Sequence, residues 1–387
     1  MPISRPRLYL FFGLFIFALL LLYPAGKVVK QTYSAYSSNQ ELPDHQLQSS
    51  STASGGKGPN GVIFMLMPPS RVHQAQLALL STENRFNRRL QYPYVIFTVG
   101  EEIDKITEED KAKIHWITEG RATFATVPLE SWNVPDSYDK AKVEESLHNI
   151  GFSMGYRSMC RFYSGFFWRH PALAQYDWLW RLDTDIEFHC DVPYDPIQKV
   201  IDANALYGFV QINPDVDFVQ PSLSGNVSQF LAANAHMLPH NANHGFVWNG
   251  KEGIEKALKG GAGNDEWTRM TMYNNFEISH KSVWENDLYK KFFDYLEQEG
   301  GFFYERWSDA PIHAFAVAMS LRKDQVVQFT DLGYQHQGWA YECPRLDRCT
   351  CNRDAVPARG FYDNAHAWFD APSYNVKRTP KYVQDLN

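Results

Sequence analysis

The chain carries no P-loop lysine motif in its 387 residues, so an NTPase phosphate cradle is not written into it. No block of Lys or Arg occurs, and the formal net charge is −7. A nucleic-acid partner, which calls for a basic stripe, therefore has no support. Cysteine is scarce: Cys160, Cys190, Cys343, Cys349 and Cys351. No CxxC pair and no histidine at metal spacing accompanies Cys349-Thr350-Cys351, so a zinc site has no support either. In an oxidising compartment some of the cysteines pair, and the odd count leaves at least one thiol free or in an intermolecular bond. No internal repeat is visible.

What is present divides the chain in two. Leu8 to Tyr23 is an uncharged apolar run, with Arg5 and Arg7 before it and Lys27 and Lys30 after. Its length approaches the roughly 17–25 residues of a membrane-spanning helix. The flanking charges are nearly matched and do not orient it. A cleaved signal peptide competes with an anchor here, and the length of the run favours the anchor. The stretch Gln31 to Asn60 is rich in Ser, Gln, Asn and Gly and buries too little apolar surface to offset its chain entropy. The expected layout is a cytosolic tail (1–7), a signal-anchor (8–26), a flexible stem (27–60) and a lumenal catalytic domain (61–387), as in a single-pass type II Golgi membrane protein. Asn226-Val227-Ser228 is a glycosylation sequon that agrees with a lumenal domain.

From Gly61 onward the pattern is mixed α/β. Gly61–Met67 and Tyr94–Val99 read as strands around a helix over Arg71–Leu90, a βαβ unit with a parallel pair. Tyr156–His170 reads as a helix, Asp177–Phe188 as one strand and Leu206–Ile212 as another. Lys281–Glu299 reads as a helix that Gly300-Gly301 terminates. Asp309–Leu321 reads as a further helix, with Pro311 tolerated in its first turn.

The strand over 177–188 ends in Asp183-Thr184-Asp185. In an extended chain residues two apart share a face, so both carboxylates can meet one divalent cation if the strand persists. Oxygen ligands of this kind suit Mg²⁺ or Mn²⁺, which neutralise a diphosphate. The bland alternative is a strand-end acid that caps a turn.

Several segments together resemble the fungal Kre2/Mnt1-type α-1,2-mannosyltransferases, glycosyltransferase family 15. They are Tyr156-Arg157-Ser158-Met159-Cys160-Arg161-Phe162, Trp180-Arg181 through Cys190-Asp191, Asn275-Phe276-Glu277-Ile278, Gly300 through His313, and Asp331-Leu332-Gly333-Tyr334 with His336. The resemblance implies a GT-A-like fold, GDP-mannose as donor, Mn²⁺ as cofactor, retention of anomeric configuration and mannosylated glycoprotein acceptors. It puts the metal-binding acid on Asp183 and the metal-binding histidine on His336. Because Asp183 is one methylene shorter than the family's glutamate, the metal must sit closer to the strand or Asp185, which is not a ligand position in the family, must help. The resemblance puts the proposed nucleophile on Glu277, and active-site roles on Tyr156 and Arg181. Arg157 and Arg161 follow Tyr156 on the same helix, and either phosphate contact or helix packing suits them. For His336 the alternative is a loop histidine bonded to backbone, and for Glu277 a buried glutamate paired with an arginine such as Arg306. Glu305, Arg306 and Asp309 suit either acceptor hydroxyls or a structural ion-pair network.

Two departures from the family pattern stand out. Asp183 replaces the usual glutamate, and Met270–Asn274 replaces a Cys-His-Phe-Trp-Ser run, which removes a cysteine. The shortened acid is the support for a second reading, a catalytically weak Golgi homologue that acts as scaffold or partner of active transferases.

Overall fold

The computed structural model describes residues 58–337, 340–341, 344, 347–350 and 364–373. The expected tail, anchor and most of the stem lie outside the described residues, as do Cys343 and Cys351. Among the described residues no helix is long and apolar enough to cross a membrane.

Four parallel strands carry the first half of the fold: β1 (Gly61–Leu66), β2 (Tyr94–Val99), β3 (Ala122–Val127) and β4 (Trp178–Leu182). Their spatial order is β3-β2-β1-β4. The side chains of β1 alternate between two cores. Val62 and Phe64 join one and Ile63 and Met65 the other, as a parallel strand covered on both faces requires. The β1–β2 crossover is the expected helix, α1 (Val72–Thr82). It runs on through a wider π turn over Glu83–Asn87 to Leu90 and stops at Gln91, whose φ is 63°. The helix expected from Tyr156 begins slightly earlier, as α2 (Met154–Arg161), because Ser153 accepts a hydrogen bond from the Tyr156 N–H and caps it.

The strand expected over 177–188 does not persist. It stops at Leu182, turns through Asp183–Asp185, and resumes as β5 (Ile186–Phe188) in a different sheet. The next expected strand also divides, into β6 (Tyr207–Phe209) and β7 (Ile212–Pro214), and β7 pairs with β8 (Met270–Met272). β9 (Phe276–His280) inserts antiparallel between β4 and β6, and β10 (Val326–Gln328) closes the seven-stranded sheet beyond β6. β11 (Tyr334–His336) pairs with β5 on one side and β12 (Ala340–Tyr341) on the other.

Three further helices matter below. The sequon lies on α3 (Leu223–Ala233). There the Ser228 hydroxyl is buried, donating to Ala257 O and accepting from Ala262 N; the folded domain does not present it. The helix expected over 281–299 breaks at Asn286, whose side chain caps α4 (Asp287–Glu299). Gly300 ends α4 at φ 71°, and a Cβ there would meet the Tyr304 ring at 2.6 Å, so glycine is required. α5 (Asp309–Ser320) matches expectation, with Pro311 in its first turn. Among the described residues one disulfide is formed, Cys190–Cys349, while Cys160 is a buried free thiol.

Candidate active site

The parallel strands end at a cleft of about 980 Å³. Leu66 and Arg71 reach it after β1, Val99 to Glu102 after β2, and Arg181 to Asp185 at the end of β4. Tyr273 to Asn275 precede the antiparallel β9 and so arrive at the same edge, as does the first turn of α5. This is the carboxyl edge of an open α/β sheet, where loops are free to bind ligands.

The two sheets meet at this edge, and that junction assembles the candidate metal centre. The Asp183 N–H donates to Asn275 O at 3.0 Å, fixing the end of β4. Asp185 sits just before β5, His336 pairs with Ile186 across β5–β11, and the Gln337 N–H donates to Asp185 O at 3.0 Å. Ligand atoms of Asp183, Asp185 and His336 consequently lie within 4.8 Å of one another. The alternation argument for the two aspartates does not hold, because a turn replaces the strand. The turn still brings both carboxylates to one point.

The set fits a hard divalent cation with one nitrogen ligand. His336 Nδ1 is buried without a protein partner, which a loop histidine bonded to backbone would not show. His336 Nε2 lies 3.2 Å from Asp185 Oδ1, and Arg71 Nη1 lies 2.6 Å from Asp185 Oδ2. Burial alone would raise the Asp185 pKa; His336 and Arg71 outweigh it and hold the carboxyl below the usual carboxylate range.

Arg181 lies beneath the metal centre. Its Nε donates to Asp183 Oδ1 at 3.0 Å and its Nη1 to Asp309 Oδ2 at 2.5 Å, and its guanidinium stacks 3.5 Å over the Tyr163 ring. Asn274 Nδ2 also donates to Asp309, at 2.9 Å. Asp309 is buried in the first turn of α5, where the helix dipole favours an anion. Burial would raise its pKa, but Arg181 and its other partners lower it overall. The cleft wall therefore carries a fixed negative charge.

Glu277 lies one layer deeper. It is buried on β9 and does not line the cleft. Its Oε2 accepts from Tyr207 Oη at 2.7 Å and faces His313 Nδ1 at 2.7 Å. His313 Nε2 faces Tyr163 O at 2.9 Å. The His313 ring thus bridges Glu277 to the Tyr163 carbonyl. Asp309 and His313 are one helical turn apart and share a face of α5; one reaches Arg181, the other Glu277. The partner of Glu277 is His313, and Arg306 pairs instead with Asp215.

Tyr156 lines the cleft as expected. The neighbouring Cys160, burial and Asp309 all raise its pKa, which keeps the phenol neutral. Arg157 does not face the cleft. Its guanidinium is buried and donates through Nη1 and Nη2 to Ser146 Oγ and to the carbonyls of Ser146, Gly151, Phe303 and Glu305, so it fastens loops, and its remaining nitrogen, Nε, is buried away from the cleft. Arg161 forms a bidentate pair with Glu297. Arg71, which no motif marked, is a basic side chain that does reach the site, where it meets Asp185. The available signal was its position just past β1, after Pro68-Pro69-Ser70.

A doubly covered, mainly parallel sheet with an acidic cluster able to hold a metal at its carboxyl edge is the architecture of a GT-A-type glycosyltransferase. The model for glycolipid 2-alpha-mannosyltransferases matches residues 26–364, and the chain belongs to that family of mannosyltransferases. Glycolipid 2-alpha-mannosyltransferase 2 of Candida albicans is 35% identical over 298 residues, spanning 74% of this chain and 61% of that relative. O-glycoside alpha-1,2-mannosyltransferase homolog 3 of Schizosaccharomyces pombe is 30% identical over 367 residues, 90% of this chain and 93% of the relative. The Mn/GDP-form crystal structure of core-mannan synthase A from Aspergillus fumigatus superposes with a TM-score of 0.70 at 27% identity, covering 87% of this chain and 90% of that one.

Proposed function

We propose that the chain transfers mannose from GDP-mannose to a hydroxyl of a mannose-containing glycan in α-1,2 linkage, with retention and with Mn²⁺ as the preferred ion. The observation that carries this is the Asp183, Asp185 and His336 cluster at the edge of the cleft, joined to the Mn/GDP form of the core-mannan synthase. Asp in place of Glu at position 183 leaves the cluster closed, so the scaffold reading loses its support. When bound, the cation neutralises charge that develops on the departing diphosphate. Asp183, Asp185 and His336 would hold it.

The residues of the chain divide the remaining work. As the bond between mannose C1 and the phosphate oxygen breaks, its electron pair leaves with the phosphate and positive charge grows on the sugar. Asp309 supplies a fixed negative charge at the cleft wall, and Arg181 keeps it ionised and aimed. The acceptor oxygen bonds to C1 from the leaving-group side, and its proton passes to the departing phosphate oxygen. Glu277 acts as a positioning residue: it holds His313, and through Asn274 and α5 it sets the place of Asp309. Nucleophilic attack by Glu277 would need a free oxygen facing the cleft.

Purified protein incubated with GDP-mannose, MnCl₂ and methyl α-mannoside should yield an α-1,2-linked disaccharide by NMR. Chelation to metal-free protein should stop turnover, and Mn²⁺ should restore it better than Mg²⁺. Undiminished turnover without metal would overturn the proposal.

Glu277→Gln tests the deeper layer. Gln replaces the carboxylate that Tyr207 and His313 face with a neutral amide, so the variant should lose about 1–3 kcal/mol of stability, with a fall in kcat. A variant that melts like the wild type while kcat drops by decades would return Glu277 to the reacting carbon.

We also infer a lumenal Golgi domain behind an anchor at 8–26 and a stem. The apolar run and the Cys190–Cys349 disulfide support this, since disulfides persist in oxidising compartments.

A further inference from the structure

Beside Tyr156 the wall of the cleft continues into an exposed aromatic surface that the chemistry above does not use. Phe152 lies between the helix ending at Ile150 and α2, and it is 46% exposed. Its φ is 62°, directly after Gly151 at 79°. A bulky residue in that region is strained, and such strain persists where the surroundings over-determine the conformation. Here the surroundings are visible. The Phe152 and Tyr156 rings lie 5.2 Å apart at 34°. The Arg306 guanidinium lies 4.8 Å from the Phe152 centroid and 5.9 Å from that of Tyr156.

Arg306 is itself buried and held by Asp215 at 3.4 Å, and its Nε has no partner. Val216 and Phe218, which follow Asp215 in the chain, are 42% and 73% exposed. Tyr156 lines the cleft beside Asp309 and its ring packs on Phe152, so this surface is continuous with the wall that carries the fixed negative charge.

We propose that Phe152, backed by Arg306 and Asp215, is the platform on which the acceptor glycan stacks. A pyranose has an apolar C–H face and a rim of hydroxyls. An aromatic ring offers that face a flat partner with a negative surface. The buried Arg306 guanidinium holds the ring by a cation–π contact, and the partly exposed Asp215 carboxylate leaves an acceptor for sugar hydroxyls at the rim. The donor is served elsewhere, since its diphosphate belongs at the Asp183, Asp185 and His336 cluster. The platform thus acts on acceptor affinity and specificity. It rests on the mannosyltransferase reading above.

The test uses the purified full chain, with Phe152→Ala, Phe152→Tyr and, as a control, Trp116→Ala. Trp116 is 78% exposed and lines no part of the cleft. Loss of one aromatic contact should raise the acceptor KM for methyl α-mannoside by about tenfold in Phe152→Ala while the GDP-mannose KM moves by less than about twofold. Phe152→Tyr should restore the acceptor KM, and Trp116→Ala should leave both constants alone. An unchanged acceptor KM in Phe152→Ala, or equal movement of both constants, overturns the platform. Saturation-transfer NMR of methyl α-mannoside on the same proteins separates the two proposals. Sugar contact that Phe152→Ala abolishes, in a wild type that fails to transfer mannose, supports the platform and sinks the transferase reading alone.

Discussion

Asp183→Ala is expected to lower kcat/KM for mannose transfer by at least about a thousandfold, the scale on which preorganised charge at a leaving group acts. Two effects of the substitution combine. It removes one of the oxygen donors of the metal cluster, and it frees Arg181 Nε, which Asp183 now accepts. Arg181 keeps Asp309 as counter-ion, so the folded state tolerates the change, and the melting temperature should move little. Mn²⁺ affinity measured by calorimetry should fall in parallel with activity. Asp183→Glu should retain activity, because the longer acid keeps the charge and the cluster is only partly buried. An Asp183→Ala enzyme within tenfold of wild type would place the ion elsewhere.

Arg181→Met should have the largest effect on stability. Met matches the stem of Arg181 and removes the guanidinium, which leaves Asp309 buried without its main counter-charge. Breaking a buried pair from one side costs about 3–5 kcal/mol. The pH dependence should also change sign. In the wild type burial works to raise the Asp309 pKa, but Arg181 outweighs it and the folded value is lowered. The contribution of the pair is therefore present above the unfolded carboxylate value near ~4 and fades as pH falls through the folded value. In Arg181→Met burial acts with little opposition, and the folded value rises above the unfolded one. That variant should be relatively most stable in acid and weaken as pH rises. Denaturant titrations of both proteins across this range check the reversal. Asp309→Asn added to Arg181→Met should recover part of the stability and none of the activity, a coupling that a double-mutant cycle measures. Equal pH profiles for wild type and Arg181→Met would show that Asp309 is not held by Arg181.

Elements whose pattern is contained in consecutive residues were legible without the fold. Strands β1 and β2, the helix between them, and α5 with Pro311 in its first turn all appear where apolar runs, breakers and caps put them. The motif residues around Tyr156, Asp183 and His336 also come to one cleft. Arg157 was not legible. A basic residue on a motif helix reads the same whether it faces phosphate or ties down carbonyls, and only the packed neighbours Phe303 and Glu305 decide. Glu277 was half legible: an acid beside apolar residues points to burial, but the layer in which it stops depends on Tyr207 and His313 from other elements.

Local sequence determined which segments are strands or helices, and it marked the acids and the histidine that matter, because periodicity and turn chemistry act over a few residues. Tertiary structure alone decided that β4 ends at Leu182, that β5 leaves for another sheet, and that His336 arrives opposite Ile186. Those facts depend on register between strands far apart in the chain. Register is set by which faces bury against which cores, and no single segment carries that information.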